Sequence, residues 1–517
     1  MDDLAPRLRA IADLTVATIR EEGGRHEYDG RIADLSPEGV RAGLARLGAG
    51  EPQDDPHDEA HLAAVEQGLR YELGELELHR SNPGYHLEEL DLCCYDKAYA
   101  PEAERRSAVE RHLAAWPDAV DAAIASLDRV SAPVATALLP GARGLADGVP
   151  AGVPEKLRAG ALAAHGRLIA HLEYAAAEGD PSAALGGAAL ARLMGTSEAA
   201  EVDLGRLAEQ ADAERDRLTA LLAESAARID PDRPALDVAR TLVRDHPDSF
   251  GVLDAARAWT DYSIEFTRER DLVPYHDGEC LVTTSPASRR WATAMLSWSG
   301  PAEPDGPTYY YVTPPDPAWE PREAAEWLEM FSATTLPGIT VHEVAPGHFS
   351  HGRALRRAPG QVRRTLFSMS FAEGWAHYAE EMCLEEGFAA AAARRFPDGG
   401  LTAAHLEIGV WLEALIRVTR LASAIGVHTG ALTVEEATRR FAADTHLTGP
   451  AARAEAERAA HDPTYGRYTW GKLVILGLRD QARARWGADF SLKRFHTAML
   501  DLGSPPLGLL GTALERG

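Results

Sequence analysis

Cysteine, basic charge and long apolar runs are all scarce in this sequence. It has only 4 cysteines in 517 residues, and two of them, Cys93 and Cys94, are adjacent. This spacing excludes a disulfide framework and a cysteine-based metal site. No run reaches the ~18 uninterrupted apolar residues of a membrane-spanning helix. The N-terminal residues lack the basic region, apolar core and small-residue cleavage site of a signal peptide. We therefore predict a cytoplasmic protein without a membrane partner.

Acidic residues far outnumber basic ones. The 79 Asp and Glu residues against 53 Lys and Arg residues give a formal net charge of −26. Proteins that bind nucleic acids gain affinity from Lys and Arg at the phosphates, so this balance predicts no nucleic-acid partner. The composition leaves the oligomeric state open, with a homodimer as one alternative.

Helix-type periodicity dominates the chain and predicts a mainly α fold. Apolar residues recur at helical spacing through residues 1–235, as in AHLAAVEQGLRYELGELELHR. Between residues 274 and 315, short β-prone runs bounded by Gly and Pro, such as GECLVTTSP and PTYYYVTPP, predict a small antiparallel sheet. We expect a helical N-terminal region over residues 1–235 and a second region over 236–517, packed as one compact unit. The chain is long enough to bury a substantial core.

A His-Glu pair in the stretch TVHEVAPGHFSHG stands six residues before a second histidine. His342 and Glu343 are followed by His348, with Pro346 and Gly347 between them. In an unbroken helix, positions six apart would face about 120° away from each other. Pro346 cannot be accommodated inside such a helix, and Gly347 permits unusual backbone dihedrals. We predict a kinked or unwound helix that brings both imidazoles to one metal ion, with Glu343 beside it.

A third ligand is expected, because a catalytic zinc site uses three protein ligands and keeps one position open. The stretch SFAEGWAHYAEEM predicts an amphipathic helix that carries Glu373, 25 residues after His348. This separation allows a second helix to pack alongside the first. Aromatic neighbours would bury the carboxylate, which then needs a cation. His377, one turn beyond Glu373, and His351 remain open as alternative ligands.

HEVAPGH and SFAEGWAHYAEEM together resemble the bacterial domain-of-unknown-function family numbered 885, a group of metallopeptidase-like zincins with a His-Glu-x-x-Pro-Gly-His signature. The similarity extends from about Phe266 to about Leu507. It implies a large helical, zincin-like body with a small sheet beside the metal cleft. Carried over residue by residue, it implies a Zn²⁺ cofactor with the ligands His342, His348 and Glu373, and Glu343 as general base.

Three further segments are similar to the family. Arg420 and His428 match the first, but Ala424 stands where the family commonly has an acidic residue. Tyr468, in DPTYGRYTWGK, matches the second, and His496, in RFHTAMLDLG, matches the third. A tetrahedral oxyanion needs a hydrogen-bond donor, which we expect Tyr468 or His428 to supply.

These residues predict a zinc-dependent hydrolase that cleaves a peptide or amide bond in a short peptide or an amino-acid conjugate. Zinc would activate water and polarise the carbonyl, and Glu343 would move the proton. Two alternatives remain. The site could serve a biosynthetic enzyme with a non-peptide substrate, or the protein could be a metal-binding pseudoenzyme that acts as a scaffold. Retention of Glu343 beside His342 disfavours the scaffold, which needs no general base.

Overall fold

Helices form most of the chain in this computed structural model, which describes residues 3–397 and 400–517. The predicted mainly α fold is confirmed. The first part contains α1 (Pro6–Ala12), α2 (Val16–Glu21), α3 (Pro37–Leu44), α4 (Pro56–Leu69), α5 (Gly84–Leu90), α6 (Glu102–Ser126), α7 (Ala132–Gly144), α8 (Glu155–Glu178), α9 (Gly187–Ser197), α10 (Leu204–Ala227) and α11 (Ala235–Leu242).

The second part contains a small sheet and the helices that build the candidate site. Its strands are β1 (Cys280–Thr284), β2 (Ala294–Ser297) and β3 (Thr308–Val312). Its helices are α12 (Val252–Glu269), α13 (Pro321–Leu328), α14 (Leu336–Glu343), α15 (His348–Leu355), α16 (Gly360–Thr365), α17 (Met369–Glu385), α18 (Phe388–Arg395), α19 (Ala403–His428), α20 (Val434–Asp444), α21 (Gly449–His461), α22 (Arg467–Trp486), α23 (Leu492–Leu500) and α24 (Thr512–Arg516).

The sheet lies where the sequence predicts it, but it is mixed rather than wholly antiparallel. Its strand order is β1-β3-β2, with β1 parallel and β2 antiparallel to β3. The aromatic run of β3 takes the central position and is the most buried of the three strands, with Tyr310 and Val312 fully buried. Strand order depends on which strand the core covers, and the spacing of β-prone runs does not specify it.

Close packing of α17 on α22 positions the candidate site. A Cβ atom at Gly374 would lie 2.5 Å from the Cα of Gly471, and a Cβ at Gly471 would lie 2.1 Å from the carbonyl oxygen of Ser370. Side chains at either position would therefore push the two helices apart. Because both positions are glycine, the first turns of α22, including Tyr468, can pack against the turn of α17 that carries Glu373.

The N-terminal helices share a hydrophobic core with the later ones. Along α10, Leu218 and Leu222 pack in one buried cluster with Leu415 and Val418 of α19. The first part of the chain is therefore packed onto the helices beside the candidate site, and α19 continues from this shared core toward that site.

Candidate metal centre

The helix break expected at Pro346 and Gly347 is present. α14 ends at Glu343, α15 begins at His348, and the peptide bond between Ala345 and Pro346 is cis. The indole Nε1 of Trp375, on α17, donates a hydrogen bond to the carbonyl oxygen of Pro346 at 2.9 Å. The segment between the two short helices is thus tied to the helix that supplies the next candidate ligand.

Glycine is required at position 347 because the chain turns back on itself there. A Cβ atom would lie 1.9 Å from the carbonyl oxygen of His342 and 2.5 Å from that of Val341. This close approach brings the His342 and His348 rings together, with centroids 4.8 Å apart and planes at 86°. An unbroken helix would point these rings in different directions.

Glu373 completes a cluster of three potential ligands. Its Oε2 lies 3.3 Å from Nε2 of His342 and 3.4 Å from Nε2 of His348. One ligand atom from each of the three residues lies within 4.8 Å of the others. Two imidazole nitrogens and a carboxylate oxygen form a donor set of the kind found in catalytic zinc sites.

An orphaned carboxylate oxygen indicates that this cluster fits a metal ion. Oε2 of Glu373 is buried, and no donor among residues 3–397 and 400–517 meets hydrogen-bond geometry with it. Burial would raise the pKa of Glu373, but the His342 and His348 imidazoles hold it well below its usual value. A buried anionic oxygen with two nitrogens facing it is the environment that a cation stabilises.

Glu380 and Arg417 orient His342 from behind. Nδ1 of His342 lies 2.7 Å from Oε1 of Glu380, and Arg417 donates a hydrogen bond of 3.0 Å to Oε2 of the same carboxylate. Burial and the Arg417 charge lower the pKa of His342, yet the Glu373 and Glu380 carboxylates beside the ring raise it to about 9. A cation that takes the place of the Nε2 proton would leave the Nδ1 proton on the Glu380 side and the Nε2 lone pair directed at the cluster.

Neither Glu380 nor Arg417 has a role in the sequence-based prediction. A signal for Glu380 is present nonetheless, because Glu373, His377 and Glu380 are spaced four and three residues apart and share one helix face. Arg417 lies one turn before Arg420, the residue that matches the family segment. Only the packing of α19 shows which turn reaches the site.

Glu343 lies beside the cluster without a partner of its own. The residue is 9% exposed, and within the described part of the chain its side chain makes no hydrogen bond or ion pair. Burial raises its pKa, although the charges of His342 and His348 oppose this effect. Burial is the main cause that raises the pKa of Cys280 and of Tyr310, and the negative charge of Glu343 is the second. The small sheet therefore forms one wall beside this carboxylate.

Tyr468 is also brought to the cluster. Its ring lies nearly parallel to that of His342, with centroids 6.3 Å apart and an interplanar angle of 21°. Burial and the charge of Glu373 raise the pKa of the Tyr468 hydroxyl. The charges of Arg458, Arg420 and Arg467, in decreasing order of strength, oppose that rise.

His428 is not brought to the cluster. It is the last residue of α19, where its Nε2 lies 2.8 Å from the carbonyl oxygen of Ala459. It follows Arg417 by 11 residues, which corresponds to about 16 Å along a helix. His428 therefore secures the end of α19 against α21, and of the two expected oxyanion donors only Tyr468 is adjacent to the candidate ligands.

The two histidines that the sequence left open as alternative ligands contact groups other than the three candidate ligands. Nε2 of His351 lies 3.0 Å from the carbonyl oxygen of Gly503, and burial lowers its pKa to about 3. Nδ1 of His377 lies 3.7 Å from Oε1 of Glu380, and burial with the Lys472 charge lowers its pKa to about 4. Neither ring belongs to the ligand cluster of the described residues.

The remaining family-matched residues lie around the site rather than in it. Arg420 makes two hydrogen bonds of 2.7 Å to Glu455. Ala424 is buried in an apolar cluster. The carboxylate that contacts the candidate ligand His342 from behind is that of Glu380, on α17. His496 lies 2.9 Å from the Tyr378 hydroxyl and 2.8 Å from the carbonyl oxygen of Leu272.

Comparison with known proteins extends the similarity over nearly the whole chain. A family model described as "Bacterial protein of unknown function (DUF885)" matches residues 20–514. No curated protein matches the chain. A solved structure of a presumed lipoprotein of unknown function from Shewanella oneidensis matches with a TM-score of 0.73 and 18% identity, covering 100% of both chains. A presumed lipoprotein from Colwellia psychrerythraea gives a TM-score of 0.73 and 16% identity, covering 99% of this chain and 97% of that one.

These two structures overturn the predicted cytoplasmic location. Both are described as presumed lipoproteins, a description that points to a membrane-anchored or extracellular protein rather than a cytoplasmic one. The prediction rests on scarce cysteine, on the lack of long apolar runs and on the pattern of the first residues, all of which are weak information about where a protein resides. Among the described residues, none of the helices combines the length and the apolar character that crossing a bilayer demands.

Proposed function

The chain belongs to the bacterial family of unknown function DUF885, and we propose that it is a zinc-dependent hydrolase that cleaves a peptide or amide bond in short peptides or amino-acid conjugates. The single observation that carries this proposal is the convergence of His342, His348 and Glu373, with Glu343 beside them and free of any structural partner among the described residues.

The three candidate ligands would hold one zinc ion. When bound, zinc lowers the pKa of a coordinated water molecule and polarises a carbonyl group. Glu380 supports this role by fixing the orientation of the His342 ring through Nδ1. Two neutral imidazoles and one carboxylate leave an open coordination position, as hydrolytic zinc sites require.

Glu343 is suited to move the proton. A carboxylate in an ion pair would be held by its partner, whereas Glu343 has none within the described residues. Burial raises its pKa, which brings its proton affinity closer to that of an effective base near neutral pH. It can take a proton from the attacking water and pass it to the departing amine.

Tyr468 is suited to donate to the developing oxyanion. Its ring stacks beside His342, and its raised pKa keeps the hydroxyl protonated at neutral pH. A protonated hydroxyl can donate a hydrogen bond to the carbonyl oxygen as charge accumulates there.

A scaffold role is less consistent with these contacts. A purely structural metal site would gain nothing from a buried carboxylate without a partner, since burial of an unpaired acid opposes folding. A non-peptide substrate remains an alternative that a substrate panel distinguishes.

Metal content tests the proposal directly. We expect about one zinc ion per chain by mass spectrometry of the purified protein, as for a mononuclear three-ligand site. His348→Ala should lose most of this zinc. His351→Gln, which changes a neighbouring buried histidine outside the cluster, should retain it.

Hydrolysis is then measured with dipeptides and N-acyl amino acids. A chelator should abolish turnover, and added zinc should restore it. Turnover at the original rate by a demonstrably metal-free sample would refute the proposed function.

A further inference from the structure

Four arginines surround two tyrosines next to the candidate metal centre. Tyr465 is fully buried, Tyr468 is 8% exposed, and their ring centroids lie 6.4 Å apart. We name this group the arginine cluster, and it consists of Arg417, Arg420, Arg458 and Arg467.

Three members of the arginine cluster are held by acidic or hydroxyl partners. The contacts are Arg417 to Glu380 at 3.0 Å, Arg420 to Glu455 at 2.7 Å, and Arg467 to Asp462 and, at 2.5 Å, to Thr464. These guanidinium groups are largely committed to keeping α19, α21 and α22 in place.

Arg458 differs from the other three. Its nearest carboxylate oxygen, Oδ2 of Asp462, lies 3.8 Å from Nη2, which is beyond hydrogen-bond distance. Within the part of the chain that the structure describes, its guanidinium has no hydrogen-bond acceptor. It lies over the Tyr465 ring at 4.3 Å from the centroid, and 35% of the side chain is exposed. The tyrosine therefore fixes this guanidinium in place while its donors stay free.

The tyrosine pair connects Arg458 to the candidate ligands. Arg458 lies over Tyr465, Tyr465 contacts Tyr468 edge-to-face, and Tyr468 stacks beside His342. Arg458 and its free donors therefore belong to the same aromatic group as Tyr468, the residue that stacks beside the candidate ligand His342.

We propose that Arg458 binds a free carboxylate of the substrate, so that the protein selects peptides and amino-acid conjugates with a terminal carboxylate near the bond to be cleaved. This inference rests on the proposed function for the identity of that bond. Arginine presents a planar fork of donors that matches a carboxylate with two hydrogen bonds. A strongly acidic protein repels anions at long range, so an anionic substrate needs a local cation of this kind.

Binding to the purified full-length protein tests the assignment without relying on turnover. The probes are dipeptide analogues with a CH₂–NH group in place of the amide and Ala, Leu, Phe or Lys in the second position. Each is prepared as the free acid and as the carboxamide. Isothermal titration should give about 10- to 100-fold weaker binding of the carboxamides, the range expected for losing charge-assisted hydrogen bonds.

Arg458→Gln should remove this preference by weakening the free acids to the level of the carboxamides. Arg458→Lys, which keeps the charge but not the fork, should give an intermediate preference. Arg439→Gln changes a 65% exposed arginine on α20 and should leave the preference unchanged. Thermal unfolding of each variant shows whether the fold is retained. If Arg458→Gln were unfolded, the result for Arg458→Lys would decide.

Two results would overturn the assignment. One is equal binding of acids and carboxamides, or no binding of any probe, by the parent protein. The other is a folded Arg458→Gln or Arg458→Lys variant with the full parental preference.

The hydrolysis measurement separates this inference from the proposed function. With cleavable substrates, Arg458→Gln should raise KM about 10- to 100-fold and change kcat little. If the zinc-loaded protein prefers free acids but cleaves none of them, the proposed function fails and the carboxylate site stands. If it cleaves acids and carboxamides with equal KM, the carboxylate site fails and the hydrolase stands.

Discussion

Helix α17 carries two buried polar clusters that have very different contacts. On one face, Glu373 meets His342 and His348 in the candidate metal centre. On another face, Glu381 belongs to what we call the paired cluster, which consists of Arg217, Glu214, Lys472 and Glu381. The paired cluster joins α10, α17 and α22, so it also links the N-terminal helices to the site.

Every charge in the paired cluster has a close partner. The Lys472 ammonium lies 2.6 Å from Glu381 and 3.0 Å from Glu214, and Arg217 bonds both carboxylates at 2.7–2.8 Å. In the candidate metal centre, one oxygen of Glu373 and the whole Glu343 carboxylate lack such partners among the described residues. Buried charges are tolerated when they are paired. The unpaired carboxylate oxygens of Glu343 on α14 and Glu373 on α17 therefore indicate a place for a ligand.

The largest expected effect is on turnover, and it tests whether Glu343 is free because it is a base. Glu343→Gln keeps the size of the side chain but cannot accept a proton. Zinc content and probe binding should be retained, whereas kcat should fall about 10²–10⁴-fold or more, as expected for loss of general-base catalysis. Steady-state kinetics on the best substrate of the panel measures this change.

Glu373→Gln is the matched comparison for the first prediction. It should lose zinc, because the amide is a poorer ligand than the carboxylate. If Glu343→Gln loses zinc and Glu373→Gln keeps it, the roles of the two glutamates are reversed. Parental turnover by Glu343→Gln would mean that the base lies elsewhere.

The next effect concerns the paired cluster, where stability rather than catalysis should respond. Lys472 is fully buried between two carboxylates. Lys472→Met should lower the free energy of unfolding by about 3–5 kcal/mol, because removing one partner leaves buried charges uncompensated. Urea unfolding measures this loss, and zinc content should remain that of the parent.

Lys493→Met serves as the control for the second prediction. Lys493 is 46% exposed and pairs with Asp271, and a surface ion pair of this kind contributes about 1 kcal/mol or less. If Lys472→Met unfolded like the parent but lost zinc, the distinction between the two clusters would be wrong.

The sequence predicts the parts of the site that depend on local geometry. The spacing of His342 and His348, the break at Pro346 and Gly347, and the placement of Glu373 on a later helix all follow from helix periodicity and from proline and glycine chemistry. The structure brings these residues together as expected. Whether they bind zinc and catalyse hydrolysis stays a prediction.

The parts of the site and of the fold that depend on tertiary packing could not be predicted from the sequence. Arg417 and Arg420 are one turn apart on α19, and only the packing against α17 directs Arg417 to Glu380. His428 resembles a family position, yet its helix carries it to the carbonyl of Ala459. The sheet order likewise depends on which strand the core covers, a property that pairwise spacing along the chain does not contain.

The smallest effect compares neighbouring residues from the two clusters, Glu380 and Glu381. Glu380 orients His342 through Nδ1, and losing such an outer carboxylate typically lowers metal affinity about 10- to 100-fold. Glu380→Gln can still hydrogen-bond but cannot offer its negative charge, so we expect a loss of zinc affinity in this range, measured by competition with a fluorescent chelator. Glu381→Gln should reduce stability, since it weakens the pairing of Lys472, and should leave zinc affinity unchanged. Equal zinc affinities for both variants would mean that Glu380 only balances the charge of Arg417. Glu380 and Glu381 would then have the same role, and only the three candidate ligands would distinguish the metal site from the paired cluster.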